Sequence, residues 1–449
     1  DLHKAIRRQR QMCIRDSLLK VRFSYGELGN QNINNWYPTY RTISIGSLNG
    51  DWLQNGLSPN TSSVGGLINT ALTWEKVRTW DVGVDYGLFN NRLTGSFDYF
   101  VRFTEGMVGP SAELPATLGI STPSSNNSDL RTKGWEVSIG WKDRLKNGLG
   151  YGINLSLSDQ ITMIDSYPDN KTLSIDSYLP GYKDGLIWGY ETIGIAKSDE
   201  EMQAHLASLP KGGQDAVGSQ WAAGDIMYKD LNGDGKISEG ARTLGDHGDL
   251  KILGDTYSHY FFGIDLNADW KGFDFRAFFQ GVLKHDYWGS GNFTGMLFGV
   301  RGGYSRWHTR GFKQHEDYFR AEPAGLEGHE LPANLDSYYP RPIFSDSSDG
   351  TSFGAKNQKV QSRYVQDASY IRLKNLQFGY TLPAKFTNKF GINRLRIFVS
   401  GENVWTGTGL TKLFDPETIS GGNGGNAYPL SRTWSFCLLY TSPSPRDRG

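Results

Sequence analysis

What constrains this chain most is a period of two. Between residues 80 and 88, Trp80, Val82, Val84, Tyr86 and Leu88 alternate with Asp81, Gly83, Asp85 and Gly87. Successive side chains of a β-strand point to opposite faces, so this spacing predicts a strand with one apolar and one polar face. The pattern recurs along the chain. Leu93, Phe97, Tyr99 and Val101 alternate with Thr94, Ser96 and Asp98, and Trp135, Val137, Ile139 and Trp141 alternate with Glu136, Ser138 and Gly140. Leu149, Tyr151, Ile153, Leu155 and Leu157 face away from Gly150, Gly152, Asn154 and Ser156. Tyr260 to Trp270, Phe273 to Phe279, Leu376 to Leu382 and Leu395 to Val399 repeat it. With Leu19–Tyr25 near the start and Trp434–Phe436 near the end, about ten strands are expected.

The connections alternate as regularly as the residues. Long ones are expected near 27–73, 103–132, 159–258, 285–368 and 404–428, and short ones near 89–92, 142–148, 271–272 and 383–393. Short turns at one end and long loops at the other mark outer-membrane β-barrels, whose long loops lie outside the cell. A soluble β-sandwich carries loops at both ends and has no reason to segregate them by length. The competing reading is a large soluble all-β protein whose apolar faces pack on a second sheet. Trp80, Tyr99, Trp141 and Trp270, near expected strand ends, fit the aromatic girdles of a membrane barrel.

Composition narrows the choice. The 449 residues include 56 Gly and 13% aromatics, a mixture that suits many-turned β-structure better than helix. Lys+Arg and Asp+Glu balance at 47 each, which gives no basic excess for a nucleic-acid partner. No run of about 18 apolar residues occurs, which excludes a transmembrane helix and leaves a barrel open. The two cysteines, Cys13 and Cys437, lie in end segments that resemble translated adaptor sequence (RRQRQMCIRDS at 7–17, LLYTSPSPRD at 438–447). The expected division is therefore a non-native end at 1–17, a barrel body at 18–436 and a second non-native end at 437–449. Without cysteine, that body offers neither a disulfide framework nor a thiolate metal site.

Eight stretches, in order, resemble the C-terminal half of the SusC/RagA family of TonB-linked outer-membrane proteins. They are LLKVRFSYGELGNQNI (18–33), LTWEKVRTWDVGVDYGLFNNRLTGSFDYFVR (72–102), KGWEVSIGWKDR (133–144), GDIMYKDLNGDGKIS (224–238), FGIDLNADWKGFDFRAFFQG (262–281), ASYIRLKNLQFGYTLP (368–383), RLRIFVSGENVW (394–405) and FDPE (414–417). The resemblance implies an incomplete antiparallel up-and-down transmembrane β-barrel, about ten strands of a larger one. It also implies a plug domain and a TonB-contacting segment outside this chain, energy from TonB–ExbB–ExbD, and a SusD-like surface lipoprotein as lid. The implied function is import of an oligomeric nutrient across the outer membrane. A glycan oligosaccharide leads, a peptide of the RagA type is the alternative, and a secreted carbohydrate-binding or glycan-degrading β-protein is the rival from another class. A ten-stranded piece leaves two unpaired edges, so an open sheet is expected.

Two sets of residues are candidates for binding. Loop aromatics Trp36, Tyr37, Trp188, Tyr190, Trp288 and Trp307 offer flat faces for sugar rings or peptide. The bland reading gives most of them to the loops' own packing. Asp230, Asn232, Asp234 and Lys236 match positions one, three, five and seven of a calcium loop, with Gly235 at six. Ala241 then stands where a bidentate carboxylate belongs, so a polar turn held by Asx-type hydrogen bonds competes with a Ca2+ site. His285, His308 and His315 have no ligand spacing, and the wall carboxylates Asp85, Asp98, Asp265 and Asp269 show no converging pair. No catalytic site is read.

Overall fold

The computed structural model describes residues 18–31, 37–47, 55–57, 59–111, 115, 117, 119–120, 122–289, 297–298, 311–343, 353–420 and 427–441. Ten long strands form one sheet: β1 (Leu18–Asn30), β2 (Glu75–Leu88), β3 (Leu93–Pro110), β4 (Ser124–Arg144), β5 (Gly150–Ser166), β6 (His259–Trp270), β7 (Phe273–Lys284), β8 (Tyr370–Thr381), β9 (Arg394–Thr408) and β10 (Thr433–Thr441). Each pairs antiparallel with the next in sequence, and β1 and β10 remain as the two edges. The sheet is open, as a partial barrel requires.

The short turns owe their geometry to residues that accept left-handed backbone. Phe89, Asn90 and Asn91 take φ of 56°, 58° and 59°, and Lys271–Gly272 takes 48° and 91°. Asn90, Asn91 and Gly272 carry such angles at low cost, whereas Phe89 and Lys271 take them against their own preference. Several boundaries differ from the alternation, β5 among them, which runs on to Ser166. The 103–132 connection contracts, because β3 runs on to Pro110 and β4 begins at Ser124. Ser124–Ser128 is polar throughout, so it pairs with β3 without any alternation to mark it. The 383–393 turn holds a short helix, Ala384–Thr387. The last strand continues through Cys437 to Thr441, pairing Cys437 with Phe398 and Thr441 with Arg394.

Glycine solves a packing problem inside the sheet. A Cβ on Gly95 would sit 2.3 Å from the Ser138 carbonyl and 2.4 Å from the Tyr86 hydroxyl, so the Tyr86 ring lies across a position only glycine can fill.

The conventional core is elsewhere. It is built in the long connections, which gather into one assembly above the strand tips, here termed the crown. Two small sheets frame it, Leu186–Tyr190 with Leu250–Asp255 and Thr192–Ile195 with Ile226–Tyr228. Helix α1 (Asp199–Ala207) buries Met202 and is capped by Ser198, whose Oγ accepts the Glu201 N–H at 3.2 Å.

Candidate functional site: a two-faced wall and its crown

Cross-strand register sorts the wall into rows. Val21, Val84, Phe97, Val137, Leu157 and Phe262 lie side by side across six strands. Phe275, Phe378, Val399 and Phe436 form a second row. Among the described residues no second sheet covers these faces: Val21 is 70%, Phe378 53% and Phe436 83% exposed. In water such a surface would be costly, whereas in lipid it is the favourable one.

The opposite face is polar from β1 to β8. Lys20, Asp85, Ser96, Ser138, Ser156, Gly263, Gln280 and Arg372 occupy one row. Its charges are paired across strands. Arg22 donates to both Asp85 oxygens at 2.9 Å and to Asp98 at 3.0 Å, and Arg276 reaches Asp265 at 2.6 Å. Arg396 pairs with Asp274 in the same way. Such a face suits contact with water, its charges already neutralised pairwise across neighbouring strands.

At the rim, β5 projects beyond β6, and residues 181–184 take the vacated place beside it. Gly181 N–H bonds the Ile164 carbonyl at 2.7 Å, and Asp184 N–H bonds that of Thr162 at 3.0 Å. Two clefts flank this extension. One, of about 570 Å³, opens on the outer side, beside Asp159, Ile161 and Met163. Above it His259 is held between two carboxylates, Nδ1 to Asp159 at 2.7 Å and Nε2 to Asp255 at 3.1 Å. Tyr260, with φ of 58°, has no partner in either ladder and breaks the alternation there. The other cleft, of about 330 Å³, lies on the side of Ile164, the lumenal parity. Its lining includes Tyr167, Tyr178 and Trp188 together with Asp176, Lys183 and Asp184.

The polar groups of this inner cleft are held in place. Asp176 accepts from Arg242 Nε at 2.7 Å, which lowers its pKa from 3.8. Asp184 accepts the Tyr257 hydroxyl at 2.7 Å. The charge of Asp184, then burial, raises the Tyr178 phenol above its ordinary 10.0, so that hydroxyl keeps its proton. Tyr167 and Tyr178 meet edge to face at 5.2 Å between centroids, and Trp188 leans on His247 at 5.4 Å.

The calcium-like loop is threaded by its own backbone. Asp230 accepts N–H groups of Gly233 at 2.6 Å and Gly235 at 2.9 Å; Asn232 accepts from Asp234 at 2.9 Å, and Asp234 from Lys236 at 3.0 Å. Buried Asp249 closes the loop by accepting from Leu231 and Ser238, both at 2.8 Å. Ala241 donates its N–H to Asp246 at 3.0 Å. Among the described residues no group of three or more His, Cys, Asp or Glu is placed to hold a metal ion.

A family model described as "TonB dependent receptor-like, beta-barrel" matches residues 14–186. TonB-dependent receptor P3 of Formosa agariphila is 29% identical over 411 residues, 89% of this chain and 36% of that protein. TonB-dependent receptor SusC of Bacteroides thetaiotaomicron is 22% identical over 434 residues, 94% of this chain and 37% of that protein. Among solved structures, the RagAB peptide transporter superposes with a TM-score of 0.65 at 18% identity, covering 94% of this chain and 41% of that one. Over most of its length the chain is similar to SusC-like TonB-dependent receptors. The receptor is therefore an outer-membrane protein, and its bare apolar rows face lipid. It spans well under half the length of the relatives it matches.

The candidate aromatics of the receptor separate by place. Trp36 and Trp307 lie outside the described residues. Tyr37 is exposed beside Tyr40, with ring centroids 6.4 Å apart. Tyr190 is a core residue at 2% exposure, its ring 4.9 Å from that of Tyr228, and so has no face to offer a solute. Trp288 packs partly buried against the same core. Trp188, half-buried, lines the inner cleft that also carries charge.

Sequence reasoning missed the polar centre of the crown. Asp225, fully buried, accepts Lys356 Nζ at 2.7 Å, Arg341 Nε and Nη2 at 2.8 Å each, and Asn357 Nδ2 at 2.9 Å. Lys356 also donates to the Ser219 and Gln220 carbonyls and lies 4.5 Å from the Trp221 ring. Burial lowers its pKa from 10.5, and Asp225 opposes that shift. Asp225 was in view, five residues before the calcium-like loop, but its partners stand more than a hundred residues away. The FDPE stretch has a comparable latch: Arg372, 3% exposed, donates to Asp415 at 2.8 Å, while Lys374 reaches Glu417 at 2.8 Å.

Proposed function

We propose that the full-length receptor imports an oligomeric nutrient across the outer membrane, with a glycan oligosaccharide as cargo. The observation that carries this reading is the two-faced wall: apolar rows bare to lipid on one side, paired charges and hydroxyls on the other. A lumen lined by Asp, Asn, Ser, Gln and Arg exchanges hydrogen bonds with a polyhydroxylated solute at little desolvation cost. Energy would come from TonB–ExbB–ExbD acting on a plug within the barrel, and a SusD-like lipoprotein would close over the crown. The loop of Asp230, Asn232, Asp234 and Lys236 is proposed as a weak Ca2+ site at most, its side-chain oxygens already serving the backbone. No reaction chemistry is assigned.

Peptide import is the second reading, favoured by the likeness to the RagAB peptide transporter. Uptake separates the two. Cells producing the full-length receptor with its lipoprotein should accumulate labelled oligosaccharide, and a protonophore should abolish accumulation. Accumulation of labelled peptides and no sugar would overturn the glycan assignment while leaving import in place.

A further inference from the structure

A pyranose ring has a distinctive surface: a flat, apolar C–H face and an edge of hydroxyls that both donate and accept. A site for one needs an aromatic wall on one side and fixed polar groups on the other. The inner cleft beside the β5 tip has both. Tyr167, Tyr178 and Trp188 supply aromatic surface, and Asp176, Asp184 and Lys183 supply charge. Its volume of about 330 Å³ falls at the small end of ligand pockets, room for one or two sugar residues rather than a whole oligomer.

Its chemistry is preorganised. Asp176 and Asp184 are oriented by Arg242 and Tyr257, and each carboxylate keeps lone pairs for further donors. Tyr178, 44% exposed, and Asp176, with half its side chain exposed, stand at the mouth where a solute meets them. Extended peptide is disfavoured by the backbone around the cleft. The 181–184 segment bonds β5, and Leu186–Tyr190 bonds Leu250–Asp255, so these ladders already use edges that strand addition would need.

We infer that this cleft is a saccharide subsite, in which Tyr178 and Trp188 stack on a sugar ring while Asp176, Asp184 and Lys183 take its hydroxyls. The inference rests on the glycan reading above and deepens it, since it assigns capture to the rim of the lumen before the solute enters the barrel.

The test uses the purified full-length receptor in detergent and calorimetric titration with maltohexaose, cellohexaose, xylohexaose, a mannuronate hexamer and a mixed octapeptide library. The wild type should bind at least one hexasaccharide. Tyr178→Ala should weaken that binding about tenfold, the scale of one lost aromatic contact. Trp188→Ala should weaken it at least as much, and Trp188→Phe, which keeps a ring against the core, should restore most of the loss. Asp176→Asn should change the order of preference among the four sugars. Sugar binding unchanged in both Tyr178→Ala and Trp188→Ala overturns the subsite alone. Binding of peptides only, or of none of the probes, overturns the glycan reading and the subsite together.

Discussion

The wall and the crown are built from the same chain by opposite rules. In the wall, large apolar side chains such as Phe97, Phe378 and Phe436 are left uncovered, and charged groups are paired on the inner face. In the crown, apolar side chains such as Met202, Ile226 and Ile237 are sealed at 0% exposure around a charge cluster centred on Asp225. The difference teaches where each part finds its stability. The wall depends on lipid and on its hydrogen-bonded ladders, whereas the crown carries its own core and its own buried ion pairs in water.

That comparison can be broken most forcefully at Asp225. Asp225→Ala leaves Lys356, Arg341 and Asn357 without their common acceptor, and removing one member of a buried charge network costs about 3–5 kcal/mol. Hydrogen exchange on the full-length receptor should show lost protection throughout 186–250, with the heat-modifiable gel mobility of the barrel retained. Loss of barrel mobility as well would mean that the two regions share one stability.

The wall has the complementary weak point. Val137→Arg places a cation among the lipid-facing rows and should cost about 2–4 kcal/mol, whereas Ser138→Arg, one residue on and facing the lumen, should cost about 1 kcal/mol or less. Urea titration of refolding into lipid vesicles measures both. Equal costs would remove the assignment of faces.

A smaller effect sharpens the contrast by pH. Burial holds the imidazoles of His205 and His285, both in the crown, below their ordinary 6.5. Above that value folded and unfolded forms are alike neutral there, and the stabilisation is complete. As pH falls below 6.5, the unfolded chain binds protons that the fold refuses, so crown stability declines toward the lower folded values. Crown protection factors, taken against the intrinsic exchange rate at each pH, should therefore fall between pH 7.5 and 5.5, and His285→Gln should reduce the slope. A slope unchanged by that substitution would take His285 out of the account.

The sequence was legible where lipid imposes alternation. The ten strands and the bare apolar face could be read from Trp80–Leu88 and its successors because every second residue meets hydrocarbon. Legibility faded at the strand tips, where Ser124–Ser128 pairs without a pattern, and it ended in the crown. Tyr228 hydroxyl donates to the Lys356 carbonyl across 128 residues of sequence, and no local spacing announces such a contact. Trp188 was legible as an aromatic but not as a wall of a cleft, since Tyr167, Asp176 and Asp184 reach it only through the turn of 167–188. The Asp230–Lys236 motif was legible as a turn chemistry, while Asp249, which closes it, was not.

The crown core draws Tyr190, Ile226 and Ile237 from the β5–β6 connection, Phe319, Tyr339 and Tyr364 from the β7–β8 connection, and Leu410 and Ile419 from the β9–β10 connection. None of the three encloses it unaided. Three stretches far apart in sequence must therefore meet at once to seal it, and a cut in any one of them would unseat the side chains of the other two.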